Sequence, residues 1–167
     1  MLRWILIAAG VVVALTLLVA GAGQLGLFTG TAPTDLGVNE GRLKAPSPRP
    51  NSVSSQADLW PDHLQREHAR IAPLPLLAGG ADAGPATLAR LRKVVEATPG
   101  THVVVSRPDY LYATFTTPLM KYTDDVEFWF DPAAGVVQVR SASRLGESDL
   151  GANRSRVEAL RARLTAP

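Results

Sequence analysis

The pattern of apolar and polar positions changes character along the chain, and each change predicts an element. From Trp4 to Ala20 nearly every residue is apolar, and the run reaches Phe28 with only Gln24 and several glycines as interruptions. No charge occurs from Trp4 to Thr34. About 20 residues at roughly 1.5 Å rise span a hydrocarbon core, so residues 1–28 are predicted as a transmembrane signal-anchor helix. Residues 29–58 lose this pattern. Gly30, Pro33, Gly37, Gly41, Pro46, Pro48 and Pro50 forbid long helix, which predicts an extended Pro/Ser/Gly-rich arm. Leu36, Val38, Leu43 and Val53 within it have the look of residues pinned onto a domain surface.

Residues 59–167 read as a globular α+β domain. Trp60, Ile71, Leu74, Leu76 and Leu77 stand among prolines and are expected on the core without long regular structure. Gly79 to Pro85 is expected as a loop. A helix then starts near Pro85, with Leu88, Leu91, Val94 and Val95 on one face, and Pro99-Gly100 ends it. Four strands follow, at Val103–Val105, Tyr110–Thr117, Asp124–Phe130 and Val136–Ser143. Short connections between them favour an antiparallel meander. Val157, Leu160 and Leu164 make residues 152–164 an amphipathic helix over one face of the sheet. The predicted fold is therefore an antiparallel sheet of about four strands, packed by a C-terminal helix and a preceding helix, with one N-terminal transmembrane helix.

Charge narrows location and partners. The formal net charge is +2, and beyond residue 34 the 16 basic residues nearly balance the 15 acidic ones. That is no electrostatic footprint for nucleic acid. Arg3 precedes the apolar run, so the positive-inside rule leaves the N-terminus cytoplasmic and the domain on the extracytoplasmic side. Fourteen of the 17 basic residues are Arg, and with the abundant Ala and Gly this composition fits the product of a GC-rich bacterial genome, so the membrane expected is the inner membrane. Ala20-Gly21-Ala22 also reads as a signal-peptidase site, which would secrete the domain after cleavage near Ala22. The single Arg and the long apolar run favour the anchor. The chain has no cysteine, which excludes disulfides, thiolate zinc sites and a thiol nucleophile. No metal site or cofactor is expected. His63 and His68 lack a third ligand, and Ser54-Ser55 has no nucleophile elbow around it.

Register arithmetic on the last hairpin brings out the candidate chemistry. If Val126, Phe128 and Phe130 share the core face with Val137 and Val139, then Arg140 meets a carboxylate across the strands. Pairing Phe128 with Val139 places Glu127 opposite Arg140; pairing it with Val137 places Asp125 there. Both readings put these charges on the half-exposed face away from the core. Arg144 extends that face. Ser141, Ser143 and Ser148 add hydroxyls, and Asp149, Asn153 and Arg154 mark the start of the last helix, where Ser148, Asp149 or Asn153 serves as N-cap. Three uses of the cluster stand open. Opposite charges across a wet sheet are ordinary and contribute about 0.2–1 kcal/mol per pair. Arginines with hydroxyls and a helix N-terminus suit an anionic small molecule, a lipid or an envelope protein. Asp125 or Glu127 as a base, with Arg140 holding substrate, would make a hydrolase or transferase. Tyr110, Tyr112 and Trp129 offer a sheet face that another chain would cover.

The runs Asp124-Asp125-Val126-Glu127-Phe128, Arg140-Ser141-Ala142-Ser143-Arg144, Gly146, Ser148-Asp149, Gly151, Asn153-Arg154 and Arg156-Val157-Glu158 resemble the family called domain of unknown function 1499 (DUF1499). So do Leu36-Gly37-Val38, Gly41-Arg42-Leu43, Pro50-Asn51 and Val53-Ser54-Ser55-Gln56, together with His68, Ile71 and Pro73-Leu74, and the likeness covers residues 36–164. The usual Cys pair of that family is absent, with Pro46 and Ser52 at those positions. The resemblance implies a bacterial envelope or plastid setting and carries no established activity. It leaves an uncharacterised, non-enzymatic binding protein of the envelope as the leading expectation.

Overall fold

β-branched and aromatic runs punctuated by turn residues build the sheet, and their period-2 pattern decides which side chains face the helices. A computed structural model describes residues 1–77, 80 and 82–166; the loop expected over 79–85 falls partly outside them. Helix α1 (Leu2–Gln24) comes first and is long and apolar enough to cross a membrane. Then come β1 (Ser52–Ser54), a 3-10 turn (Ala57–Leu59), α2 (Arg66–Ala69), α3 (Ala83–Glu96), β2 (Thr101–Ser106), β3 (Tyr110–Thr116), β4 (Thr123–Asp131), β5 (Val136–Ser143) and α4 (Ala152–Thr165). The strands form one antiparallel sheet in the order β1-β5-β4-β3-β2. The α+β class, the meander and both packing helices are as predicted. The fifth strand is new: Ser52, Val53 and Ser54 pair with Ala142, Ser141 and Arg140 on the outer edge of β5. A Ser-Val-Ser triplet is too short to show an alternation, so its own pattern did not mark it.

One face of the sheet carries the hydrophobic core. Leu111, Ala113, Phe115, Val126, Phe128, Val137 and Val139 pack against Leu88, Leu91 and Val95 of α3 and Val157, Leu160 and Leu164 of α4. Val53, Ile71 and Leu74 close one side of this layer. Leu74 is tied to Val137 by reciprocal backbone hydrogen bonds of 2.8 and 2.9 Å.

The opposite face is not open to water. The segment before β1 folds back over it and is fixed by side chains. Asn39 and Arg42 exchange backbone hydrogen bonds around a tight turn. Gln56 Nε2 donates to the Gly41 carbonyl (2.9 Å), while its Oε1 accepts from the Leu43 N–H (2.8 Å). Leu43 is almost fully buried. The sheet face with Tyr110, Tyr112 and Trp129, expected to await another chain, is thus covered by the chain's own arm, and Tyr110 is buried there. Burial of Leu43 adds to the hydrogen bonds that hold this closure.

Leu43→Ala should therefore cost about 2–5 kcal/mol, the range for truncating a buried leucine. Equilibrium urea unfolding of the detergent-solubilised chain measures it. A loss within experimental scatter would mean that the arm lies loosely on the sheet.

Candidate functional site

The hairpin adopts the first of the two registers considered. Phe128 pairs with Val139, which puts Glu127 opposite Arg140. Asp125, Glu127, Arg140 and Arg144 share the arm-side face. Their environment differs from expectation, because they are not half-exposed: Glu127 is 0% and Arg140 5% exposed under the arm. Strand alternation places side chains on a face, but it does not say what covers that face.

Two ion pairs on this face are built very differently. Arg144 Nε and Nη2 donate to the two oxygens of Asp125 at 2.9 and 2.8 Å, a bidentate fork. Tyr112 donates its hydroxyl to Asp125 Oδ1 at 2.6 Å. Burial and then the bond to Asp125 push the Tyr112 phenol up to about 12, and the bond to Asp125 raises Arg144. Every group of this triad has a partner, as a buried charge requires.

Glu127 and Arg140 are paired loosely. Glu127 Oε1 accepts from the Gly37 N–H and from the Tyr110 hydroxyl, both at 2.7 Å. Its Oε2 has no hydrogen-bond partner and lies 3.7 Å from Arg140 Nη1. Burial pushes the Glu127 carboxyl above its ordinary value, against the pull of Tyr110, Gly37 and Arg140. Burial likewise lowers Arg140, whose guanidinium nonetheless stays charged at neutral pH. Arg140 Nε donates to the Ala45 carbonyl at 3.0 Å. Among the described residues, that is the one hydrogen bond the guanidinium makes.

Arg140 lines a cavity of about 220 Å³ between arm and sheet. Its wall includes Asp125 and Arg144 from the sheet and Pro33, Lys44 and Ser47 from the arm. Lys44 Nζ is 2.6 Å from the exposed carboxylate of Asp35. The wall therefore holds three cations beside Asp125 and Asp35, with Glu127 drawn toward its neutral form.

Ser143 is also on the cavity wall. The other expected site residues lie elsewhere, and the hydroxyls of Ser143 and Ser141 engage the helix side of the sheet. There Ser141 donates to Asn153 Oδ1, while Asn153 Nδ2 donates to Ser143 Oγ and to the Asn51 carbonyl, both at 3.0 Å. Arg156 joins this network, donating to Asn153 Oδ1 at 2.7 Å and pairing with Asp124. Asn153 is fully buried, so the network ties α4 to β5 and to the arm before β1. Asp149 caps α4, accepting from the Gly151 and Asn153 N–H groups at 3.0 and 2.8 Å. Burial works to raise its carboxyl, but these N–H groups hold it below the usual range. Ser148 Oγ accepts from the Leu150 N–H, and Arg154 reaches the His68 carbonyl at 2.7 Å on the surface. The ten residues grouped from sequence thus divide into an arm-side set, a helix-side set and a loop-and-surface set.

Tyr110, Tyr112, Gly37, Lys44 and Ala45 were missed as members of the arm-side set. Extending the register one strand further, to Tyr112 opposite Glu127, would have found the tyrosines. Backbone groups of the arm leave no such signal. Among the described residues no group of three His, Asp or Glu side chains is placed to hold a metal ion.

Residues 42–164 match the family model described as Protein of unknown function (DUF1499), and the chain belongs to that family. No curated protein and no solved structure matches the chain.

Asn153→Ala should destabilise by about 3 kcal/mol, since it strands buried hydroxyl, carbonyl and guanidinium groups together; urea unfolding of the detergent-solubilised chain reads this. For Glu127, the folded carboxyl binds its proton more tightly than the unfolded one. Its contribution is fully present below the unfolded value near 4.5 and is lost as pH rises through the raised folded value. Glu127→Gln should remove that slope, so the stability of the variant relative to wild type climbs with pH from 4.5 upward. Parallel stability curves for the two proteins would contradict it.

Proposed function

We propose that this member of the DUF1499 family is an anion-binding domain, held by α1 on the extracytoplasmic side of a bacterial inner membrane. The binding function rests on one observation: the Arg140 guanidinium lines a cavity, and among the described residues neither of its terminal nitrogens has a hydrogen-bond partner in the protein. Both nitrogens keep access to the cavity, so the guanidinium has donors free for an acceptor that enters it. The volume suits a small anionic group, a phosphate or a carboxylate, rather than a drug-sized ligand. Arg144 and Lys44 stand at the same wall, each paired with a carboxylate, Asp125 and Asp35, which leaves Arg140 as the cation with free donors; the Ser47 N–H is already used by Ser52 Oγ (2.8 Å).

The membrane placement rests on the charge-free run after Arg3 and on the length of α1. Retention over cleavage near Ala22 is favoured by the single Arg before the run and by the length of the run. Gln24 Nε2 donates to the Pro118 and Leu119 carbonyls at 3.0 and 2.6 Å, so the last turn of the helix is part of the domain's packing. The acid–base alternative has one observation in its favour, the raised Glu127 carboxyl. That carboxyl is sealed from the cavity and held by Tyr110 and Gly37, which suits it to position Arg140 and not to meet a substrate.

Millimolar inorganic phosphate or citrate should raise the melting temperature of the detergent-solubilised chain above that in potassium chloride of equal ionic strength. A ligand at 100 times its Kd stabilises by about 2.7 kcal/mol. Arg140→Gln should abolish the shift and Lys44→Gln should reduce it. No shift in the wild-type protein with either anion would refute the reading.

A further inference from the structure

Helix α1 does not leave the domain as a free tether. Gly23 in its last turn packs against the turn between β3 and β4, where a Cβ would lie 2.9 Å from Met120 Cα. Gln24 binds the same turn. Phe28 then stacks on Tyr122 with ring centroids 5.6 Å apart. Tyr122 shares a small cavity with Leu145 and Leu150 of the β5–α4 loop. A continuous apolar rim thus surrounds the emerging helix, made of Leu25, Leu27, Leu119, Tyr122, Leu145 and Leu150, all exposed.

The turns that carry this rim hold it outward. Leu150 is 97% exposed and sits in the left-handed region at φ 51° in the turn that leads into α4. Lys121, at φ 58°, gives the β3–β4 turn the same kind of bend. Of the nearby acids, Asp149 accepts from N–H groups at the start of α4 and Asp124 is paired with Arg156, while Glu147 is exposed 3.2 Å from the Arg49 guanidinium.

We propose that the β3–β4 turn and the β5–α4 loop seat the domain on the lipid bilayer, with Leu119 and Leu150 inserted beside the end of α1. The occupant is lipid because the rim is continuous with the helix that enters the membrane; the proposal rests on that reading of α1. Leucines and a tyrosine at this level bury apolar surface while Lys121 reaches the headgroups. The geometry also fixes what stays in water. β4 is nine residues long and begins at the rim, so its far turn stands about 30 Å away at roughly 3.4 Å per residue.

The chain has no cysteine, so single cysteines can carry nitroxide labels without competition. The full chain is reconstituted in phosphatidylcholine vesicles with a label at Leu119→Cys, Leu150→Cys, Val12→Cys in α1, or Ala133→Cys in the β4–β5 turn. Collision rates with oxygen, which favours lipid, and with a water-soluble nickel chelate report depth. The expected result is oxygen in excess at 119, 150 and 12, with the order reversed at 133. A label at 12 in lipid with those at 119 and 150 in water overturns the seating while the anchor stands. A label at 12 in water overturns the anchor and the seating together. All four labelled sites are exposed, so the substitutions leave the packing intact.

Discussion

Burial of a charged layer between the sheet and the arm is the constraint on which the rest of the structure depends. Glu127 and Arg140 sit on the face of the sheet that a two-layer fold would leave wet. Moving such groups out of water costs several kcal/mol each unless partners replace the solvent. The arm supplies part of that replacement from its backbone: the Gly37 N–H to Glu127 and the Ala45 carbonyl to Arg140. The same contacts hold the arm in place. A Pro-rich segment with few long apolar side chains gains its position from polar groups that would be destabilising without it.

Neighbouring positions on this face show how differently two ion pairs of one type can be used. Asp125 has a bidentate arginine and a tyrosine hydroxyl, so it forms a closed unit in which each member satisfies the others. At Glu127 the carboxylate is sealed and only half satisfied, and its arginine is turned toward a cavity. A structural pair gains by closing its geometry, as Asp125 and Arg144 do. Arg140, paired at 3.7 Å and with one hydrogen bond to the arm, keeps donors open toward that cavity. That difference in geometry, more than the number of charges, separates the two pairs.

The chain order, the antiparallel meander and the meeting of Arg140 with a carboxylate across the hairpin were legible because they depend on local periodicity. Alternation in β4 and β5 fixes the face of each residue but leaves two registers, and the structure takes the one with Phe128 opposite Val139. Three things were not legible, each for a physical reason. β1 has a single apolar residue, and its identity as a strand comes from the edge of β5. The burial of Arg140 depends on where residues 31–48 lie, which no periodicity records. Ser141 and Asn153 fell into the wrong group because sequence proximity to Arg140 and Arg144 hid the parity of the strand. Ser141 is one residue from Arg140 and therefore on the opposite side of the sheet.

The cavity and the anchor are also mechanically connected. Thr31 and Pro33 line the cavity, and α1 ends at Gln24, so six residues, 25–30, separate the helix from the wall of the cavity. Fully extended, that link spans no more than about 25 Å, and here it is pinned. Gly30, at φ 68°, passes so close to the sheet that a Cβ would stand 2.7 Å from Arg144 Cβ. Arg144 is the residue that completes the closed pair with Asp125 on the cavity wall. A tilt of α1 would act first on the Gly23 and Gln24 contacts with the β3–β4 turn, then on the Phe28–Tyr122 contact, and then on this close approach. Of the two walls of the cavity, the arm-side one is thus the one joined to the helix through the chain, whereas the sheet-side wall is fixed by the β4–β5 ladder.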